Sequence, residues 1–378
     1  MSKKVLFSFF IASISFIVVE PLAYFAGQYL QEKGVFYRPT VGSSYSSYLV
    51  YRDPVVGWPA PSSYGAGDRD RTGSRIVPAF PDPDEHEACI SIYGNSFTWS
   101  SDVASEHAWG NVLAQWANCR VANYGVGGYG TDQAYLRFKN NEMDSAPIVI
   151  LGYLSENIMR NITQYRDLVY AHGGLGFKPR FIFDENGRFT LIRLPTIAAS
   201  EYIQFVHHPE RYLEHDYFAP GGPAGIRRLD FPYVWSVAMA FRHFIIQTKI
   251  KGVPWYADFY QSDHPSQALP IATRILGMFE QEARSRGKQP LIVIYPTVLD
   301  LLYYQKEKVW IYQNLIDDLH SHAIEPLNIG IGMIDYIGDR DPWQLYTDHS
   351  AHYNRAGYEL VAKLVYDFLI NHRIMSRN

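Results

Sequence analysis

Ser96 closes a short apolar run, Ile90-Ser91-Ile92-Tyr93, through Gly94-Asn95, which places a hydroxyl at a strand-to-loop corner. In an open parallel sheet, the corner at a strand's carboxyl end is where reactive groups gather. Far along the chain, Asp348-His349-Ser350-Ala351-His352-Tyr353-Asn354 stands just before a helical segment. A serine hydroxyl is a weak nucleophile until an imidazole takes its proton. A serine after an early strand and an Asp/His pair before the last helix are the parts of such a site. No other set of residues in the chain compares with it.

The elements that would hold these groups alternate. Short β-branched or aromatic runs at Cys89–Tyr93, Arg120–Tyr124, Ile148–Gly152, Leu291–Tyr295 and Met333–Tyr336 read as buried parallel strands. Helical stretches lie between and after them at Ala108–Ala117, Thr131–Lys139, Gln267–Arg286, Val309–His320 and Arg355–His372. Such alternation with right-handed crossovers builds a three-layer α/β/α sandwich on a five-stranded parallel sheet. The gap between the third and fourth strands is far too long for one crossover helix, so residues 160–265 read as an insertion. It holds a hairpin, Arg180–Phe183 and Arg188–Ile192, turning at Asp184-Glu185-Asn186-Gly187, and an apolar helix near Val234–Ile250.

Four blocks stand in a telling order: Gly94-Asn95-Ser96 after the first strand, Asn123 through Gly130 after the second, Leu151 through Asn157 after the third, and Asp348 through Gly357 before the final helix. Together they resemble the SGNH/GDSL hydrolase family, over about residues 88–160 and 288–372. The resemblance implies a flavodoxin-like fold and a serine esterase. It makes Ser96 the nucleophile, His352 the general base, Asp348 the acid that orients it, and Gly128 (backbone N–H) and Asn157 (side-chain amide) oxyanion donors. The sequence departs from the pattern twice. Asn95 stands where the family has aspartate, and Asp348 sits four residues before the histidine where the family has three. The implied reaction is hydrolysis of an O-acyl ester, an O-acetyl ester first of all, on a small molecule or an envelope or extracellular glycan, with no cofactor and no metal. Transfer of the acyl group to a glycan hydroxyl, or a non-catalytic carbohydrate-binding or assembly role, are the alternatives. The insertion is expected to shape the acyl or alcohol pocket.

Competing readings are weaker. Gly125, Gly127 and Gly130 satisfy G-x-G-x-x-G, and Glu156 lies at a loosely suitable distance, but the motif follows the second strand rather than the first. His207, His208 and His215 lack metal-ligand spacing. The acidic run Asp82–Glu87 lacks a calcium-loop glycine pattern.

Net charge is −4 over 378 residues, with Lys and Arg scattered, which argues against a nucleic-acid surface. Lys3-Lys4 precede a mostly apolar stretch over residues 5–26, interrupted by Glu20. A bilayer needs about 20 such residues, so residues 1–27 read as an uncleaved transmembrane anchor; a cleavable signal peptide is the alternative, but Ala23-Tyr24-Phe25-Ala26 fits its cleavage pattern poorly. Positive charge stays on the cytoplasmic side, which places the remainder outside the cytoplasm. Residues 28–87 read as an extended lead-in and residues 88–378 as the catalytic domain. Cys89 and Cys119 begin neighbouring strands, and either a disulfide or two buried thiols fit that placement.

Overall fold

The computed structural model describes the backbone of residues 3–170, 174–222 and 225–376, and side chains from residue 16 onward. The chain opens with α1 (Lys3–Glu32) and α2 (Tyr45–Tyr51). Then come β1 (Ala88–Tyr93), α3 (Ser96–Trp99), α4 (Trp109–Ala117), β2 (Arg120–Asn123), α5 (Thr131–Lys139), β3 (Ile148–Leu154) and α6 (Asn157–Arg160). A hairpin, β4 (Arg180–Phe183) and β5 (Phe189–Ile192), precedes α7 (Tyr202–His207), α8 (Tyr233–Ala240) and α9 (Phe244–Lys251). Alternation resumes with α10 (Ala268–Ser285), β6 (Gln289–Tyr295), α11 (Val298–Glu307), α12 (Gln313–Ser321), β7 (Leu327–Asn328) and α13 (Ile329–Ile337), and α14 (Arg355–Asn371) closes the chain.

The chain divides into two compact units. One comprises residues 1–49, 163–176 and 195–255; the other comprises residues 50–162, 177–194 and 256–378. The second carries a five-stranded parallel sheet in the order β2-β1-β3-β6-β7. Its central strands are buried on both faces: Ile90, Ile92, Val149, Ile150, Leu151, Val293 and Ile294 are all inaccessible. Apolar residues on successive positions suit a strand covered on both sides. Right-handed crossovers from β1 to β2 and from β2 back to β3 put α4 and α5 on opposite faces. There α4 packs with α14, and α5 with α10. Strand order reverses between β1 and β3, the switch point outside which ligands bind in open sheets. A buried ion pair, Lys178 Nζ to Asp132 Oδ2 at 2.5 Å, ties the segment leading into β4 to the first turn of α5. Cys89 and Cys119 form a disulfide across the neighbouring starts of β1 and β2.

Several elements differ from expectation. The fifth strand is Leu327–Asn328, and Met333–Tyr336 belongs to α13. The buried residues there, Ile329, Gly330, Met333 and Ile337, recur at helical spacing, and the Asn328 side chain caps the helix by accepting from Gly330 N. The helix expected over Val309–His320 is α12 alone. An unanticipated helix, α11, precedes it behind a Thr297/Asp300 capping box. The single helix expected near Val234–Ile250 is broken into α8 and α9, where His243 caps the second by accepting from Ile245 N.

In the other unit, α1 packs on α8. The Glu20 carboxylate, the lone acid in the apolar stretch, accepts from Tyr233 N at 2.6 Å and Val234 N at 3.3 Å, satisfying free donors of the α8 first turn. Val35, Phe36 and Ala240 form the core beneath, with Leu30, Leu229 and Ile246. Among the described residues no helix is long and apolar enough to cross a membrane. The first half of the expected anchor, residues 1–15, lies outside the described side chains.

Candidate active site

At the end of β1 the chain must turn sharply into α3. A Cβ on Gly94 would sit 2.0 Å from Thr98 Oγ1 and 3.0 Å from the Gly152 carbonyl, so only glycine lets β1, β3 and the turn meet here. Asn95 then caps α3, its Oδ1 accepting from Phe97 N at 2.9 Å. Its Nδ2 donates to Asn157 Oδ1 at 3.2 Å. An ionised aspartate could perform the first task but not the second, which explains how asparagine serves at this position. Ser96 is the first residue of α3, where a backbone N–H has no carbonyl within its own helix.

His352 comes from the loop before α14. Asn354 caps that helix, accepting from Gly357 N at 3.1 Å, and the buried Tyr353 donates to the Pro296 carbonyl at 2.8 Å. These anchors hold the histidine backbone, and the edge-on Phe97 ring, 5.2 Å away, packs against the imidazole. His352 Nε2 lies 2.9 Å from Ser96 Oγ.

The other nitrogen meets an unexpected acid. His352 Nδ1 lies 2.7 Å from Asp102 Oδ2 and 3.1 Å from Ser350 Oγ. Ser350 also donates to the Asp102 carboxylate. Asp348, the expected acid, does not orient His352. Thr347 N bonds the His352 carbonyl and Ala351 N bonds the Thr347 carbonyl, closing a tight loop that leaves Asp348 exposed. His349 stands on the same loop, its Nε2 3.8 Å from Asp102 Oδ2.

Asp102 is delivered by the turn after α3. Ser100 and Asp102 both take left-handed conformations, φ 64° and 70°, and aspartate is among the few non-glycine residues that do so readily. Arg75, 3 % exposed, holds this turn. Its guanidinium donates to the Trp99 carbonyl, to the Ser100 carbonyl at 3.1 Å, to the Val103 carbonyl at 3.2 Å and to Ser105 Oγ at 3.3 Å. Partial burial raises the Asp102 carboxyl. The hydrogen bonds from Ser350 and His352 and the charges of His352 and His349 more than offset this, so it sits below the usual carboxylate range.

The loop between β2 and α5 lies beside the nucleophile turn: Val126 N donates to the Gly94 carbonyl at 3.1 Å, and Asn123 Nδ2 to the Thr98 carbonyl at 2.8 Å. Gly128 sits on it with φ 84°, a conformation that favours glycine. Asn157 is buried at the start of α6, its Nδ2 3.4 Å from Thr131 Oγ1. The lead-in contributes as well. The Tyr64 hydroxyl bonds Ser101 Oγ at 2.9 Å, its ring lies where a Gly127 Cβ would stand, and Arg69 Nη2 donates to the Gly125 carbonyl at 3.0 Å.

The structure thus brings Ser96 and His352 together, sets Asn157 and the Gly128 loop against the same turn, and leaves Asp348 apart. Asp102, Ser350, Arg75 and Tyr64 join the site without having stood out in the sequence. Asp102 has one local signal, an acid within a turn of the serine-bearing helix. A carboxylate at Nδ1 keeps the imidazole proton there and leaves the Nε2 lone pair for the Ser96 hydroxyl.

No family model and no curated protein matches the sequence. Among solved structures the chain is similar to a member of the lipolytic protein G-D-S-L family from Veillonella parvula (13 % identity, TM-score 0.34, covering 74 % of this chain and 96 % of that one). It is also similar to an acetyl xylan esterase (10 %, 0.37, 74 % and 99 %). A third is a variant of an acetyl-xylooligosaccharide esterase from Geobacillus (10 %, 0.38, 75 % and 93 %). At such low identity the likeness says nothing of the chemistry, for which the distances around Ser96 speak.

Proposed function

We propose that this chain is an SGNH-type serine hydrolase that cleaves O-acyl esters, acetyl esters of a carbohydrate in the first instance, through an acyl-enzyme on Ser96. The observation that carries this reading is the unbroken relay from Ser96 Oγ to His352 (2.9 Å) and from His352 to Asp102 (2.7 Å). His352 Nε2 takes the hydroxyl proton as Oγ attacks the acyl carbon. The same proton then goes to the leaving alkoxide as the ester C–O bond breaks. A water, deprotonated by Nε2, attacks the acyl-enzyme, and its proton returns to Oγ as the acid departs. Asp102 stays ionised throughout and stabilises the imidazolium. The Ser96 and Gly128 N–H groups and the Asn157 amide are proposed to receive the oxyanion, each worth about 3 kcal/mol in comparable sites.

We further propose that the amino-terminal segment anchors the protein and that the catalytic unit lies outside the cytoplasm. The Lys3-Lys4 start and the Cys89–Cys119 disulfide, which suits an oxidising compartment, support this. The test of the activity is turnover of a chromogenic acetyl ester. Wild type should release the chromophore and Ser96→Ala should fall to background. Release that persists in Ser96→Ala would refute the assignment, and release seen only with an added glycan acceptor would replace hydrolysis by acyl transfer.

A further inference from the structure

The unit built on α1 exposes an apolar face that its own core does not use. Phe231, Trp235, Phe241 and Ile250 are between 59 and 69 % exposed. They stand on α8, on α9 and at the bends flanking α8. The α8 end of this set adjoins α1: Phe231 meets Phe16 edge-on at 5.7 Å and Tyr233 meets Tyr24 at 5.0 Å. Ile17, Leu22 and Phe25 of α1 are exposed as well. A grouped apolar surface of this kind marks a binding site rather than the scattered apolar residues of an ordinary exterior.

Charge and length say what covers it. From residue 231 to 257 the chain has no acidic residue, while Arg242, Lys249 and Lys251 are exposed within that span. Each of α8 and α9 has 8 residues, about 12 Å of helix, too short to cross a bilayer but able to lie in its surface layer. Lysine is depleted at protein–protein interfaces, whereas on an interfacial helix its stem packs on acyl chains and its ammonium reaches the phosphates. Trp and Phe suit the same boundary.

We propose that α8 and α9, with the exposed side of α1, form a face that lies in the headgroup–acyl boundary of an anionic lipid bilayer. This second membrane contact is independent of whether α1 crosses the membrane. It would hold the unit flat against the lipid by α8 and α9.

The test uses the full chain on phosphatidylcholine vesicles, with and without anionic phosphatidylglycerol. Cys89 and Cys119 are joined, so Phe241→Cys and Ile250→Cys can each carry a polarity-sensitive dye, with Glu325→Cys as an exposed control; an unchanged unfolding midpoint shows that each labelled protein is folded. On anionic vesicles the emission at 241 and 250 should shift to the blue and be quenched by brominated lipid, with no change at 325. The shift should weaken without phosphatidylglycerol and in Lys249→Glu/Lys251→Glu. Dyes that stay in water while the protein floats with the vesicles would overturn the proposal, as would a chain that remains off them. So would dyes already blue-shifted without lipid in a dimer seen by sedimentation, which would assign the face to a second copy.

Discussion

At the scale of single residues, the decisive feature is which acid meets the His352 imidazole. The carboxylate that touches the imidazole is six positions downstream of the serine, not four upstream of the histidine. Asp102→Asn should therefore cut turnover of an acetyl ester by about 10⁴-fold, the loss seen when the aspartate of a Ser-His-Asp set becomes an amide. Asp348→Asn, exposed and without a hydrogen bond to His352, should leave turnover within about twofold, because exposed substitutions away from such features are near neutral. The opposite ranking in steady-state kinetics would return the role to Asp348. The serine and histidine are legible in sequence because each lies in a block with a fixed place beside a strand or helix end. Asp102 is not legible in that way. Its position depends on two left-handed residues and on a guanidinium from a distant segment, and neither leaves a periodic trace.

At the scale of elements, that guanidinium ties the lead-in to the site. Arg75 satisfies three carbonyls of the turn after α3, and a lysine, with a single ammonium, cannot reach the same set in one geometry. Buried carbonyls left without a donor cost about 1–3 kcal/mol each. Arg75→Lys should lower kcat at nearly unchanged KM, because Asp102 loses its fixed position while the substrate pocket stays, and urea unfolding should show a loss of about 2 kcal/mol. A rise in KM with kcat intact would show that the turn serves binding instead. The strands β1, β2, β3 and β6 are readable from short apolar runs, since strands covered on both faces carry little else. The fifth is not: β7 has two residues, and the stronger apolar run beside it obeys helical spacing and folds as α13. The lead-in has no period to read, yet supplies Tyr64, Arg69 and Arg75, because its shape is set by hydrogen bonds to the loops it covers.

At the scale of the whole molecule, a buried acid links the site's scaffold to pH. Asp300 is fully buried beneath the end of β3 and caps α11. Its carboxylate accepts from Ser155 Oγ, from Thr297 N at 2.7 Å and from the Tyr256 hydroxyl at 2.8 Å. Burial pushes it up to about 6, although the bonds from Ser155, Thr297 and Tyr256 pull the other way. The folded state therefore holds a proton that the unfolded chain has released, so this group's contribution to stability falls as pH rises from about 4 to about 6 and is flat above. Denaturant midpoints across that window should fall more steeply in wild type than in Asp300→Asn; parallel slopes would show that the carboxyl titrates as in the unfolded chain. The division into two units is also more than the sequence tells. An insertion between the third and fourth strands is plain from its length, but that most of it joins α1 as a compact unit, while the hairpin stays with the sheet, depends on packing that length alone does not specify. The most direct measurement for the central claim is covalent labelling with a fluorophosphonate, mapped by mass spectrometry. Ser96 should be modified in wild type and left unlabelled in His352→Ala. Label on another residue, or label on Ser96 that is indifferent to His352, would contradict it.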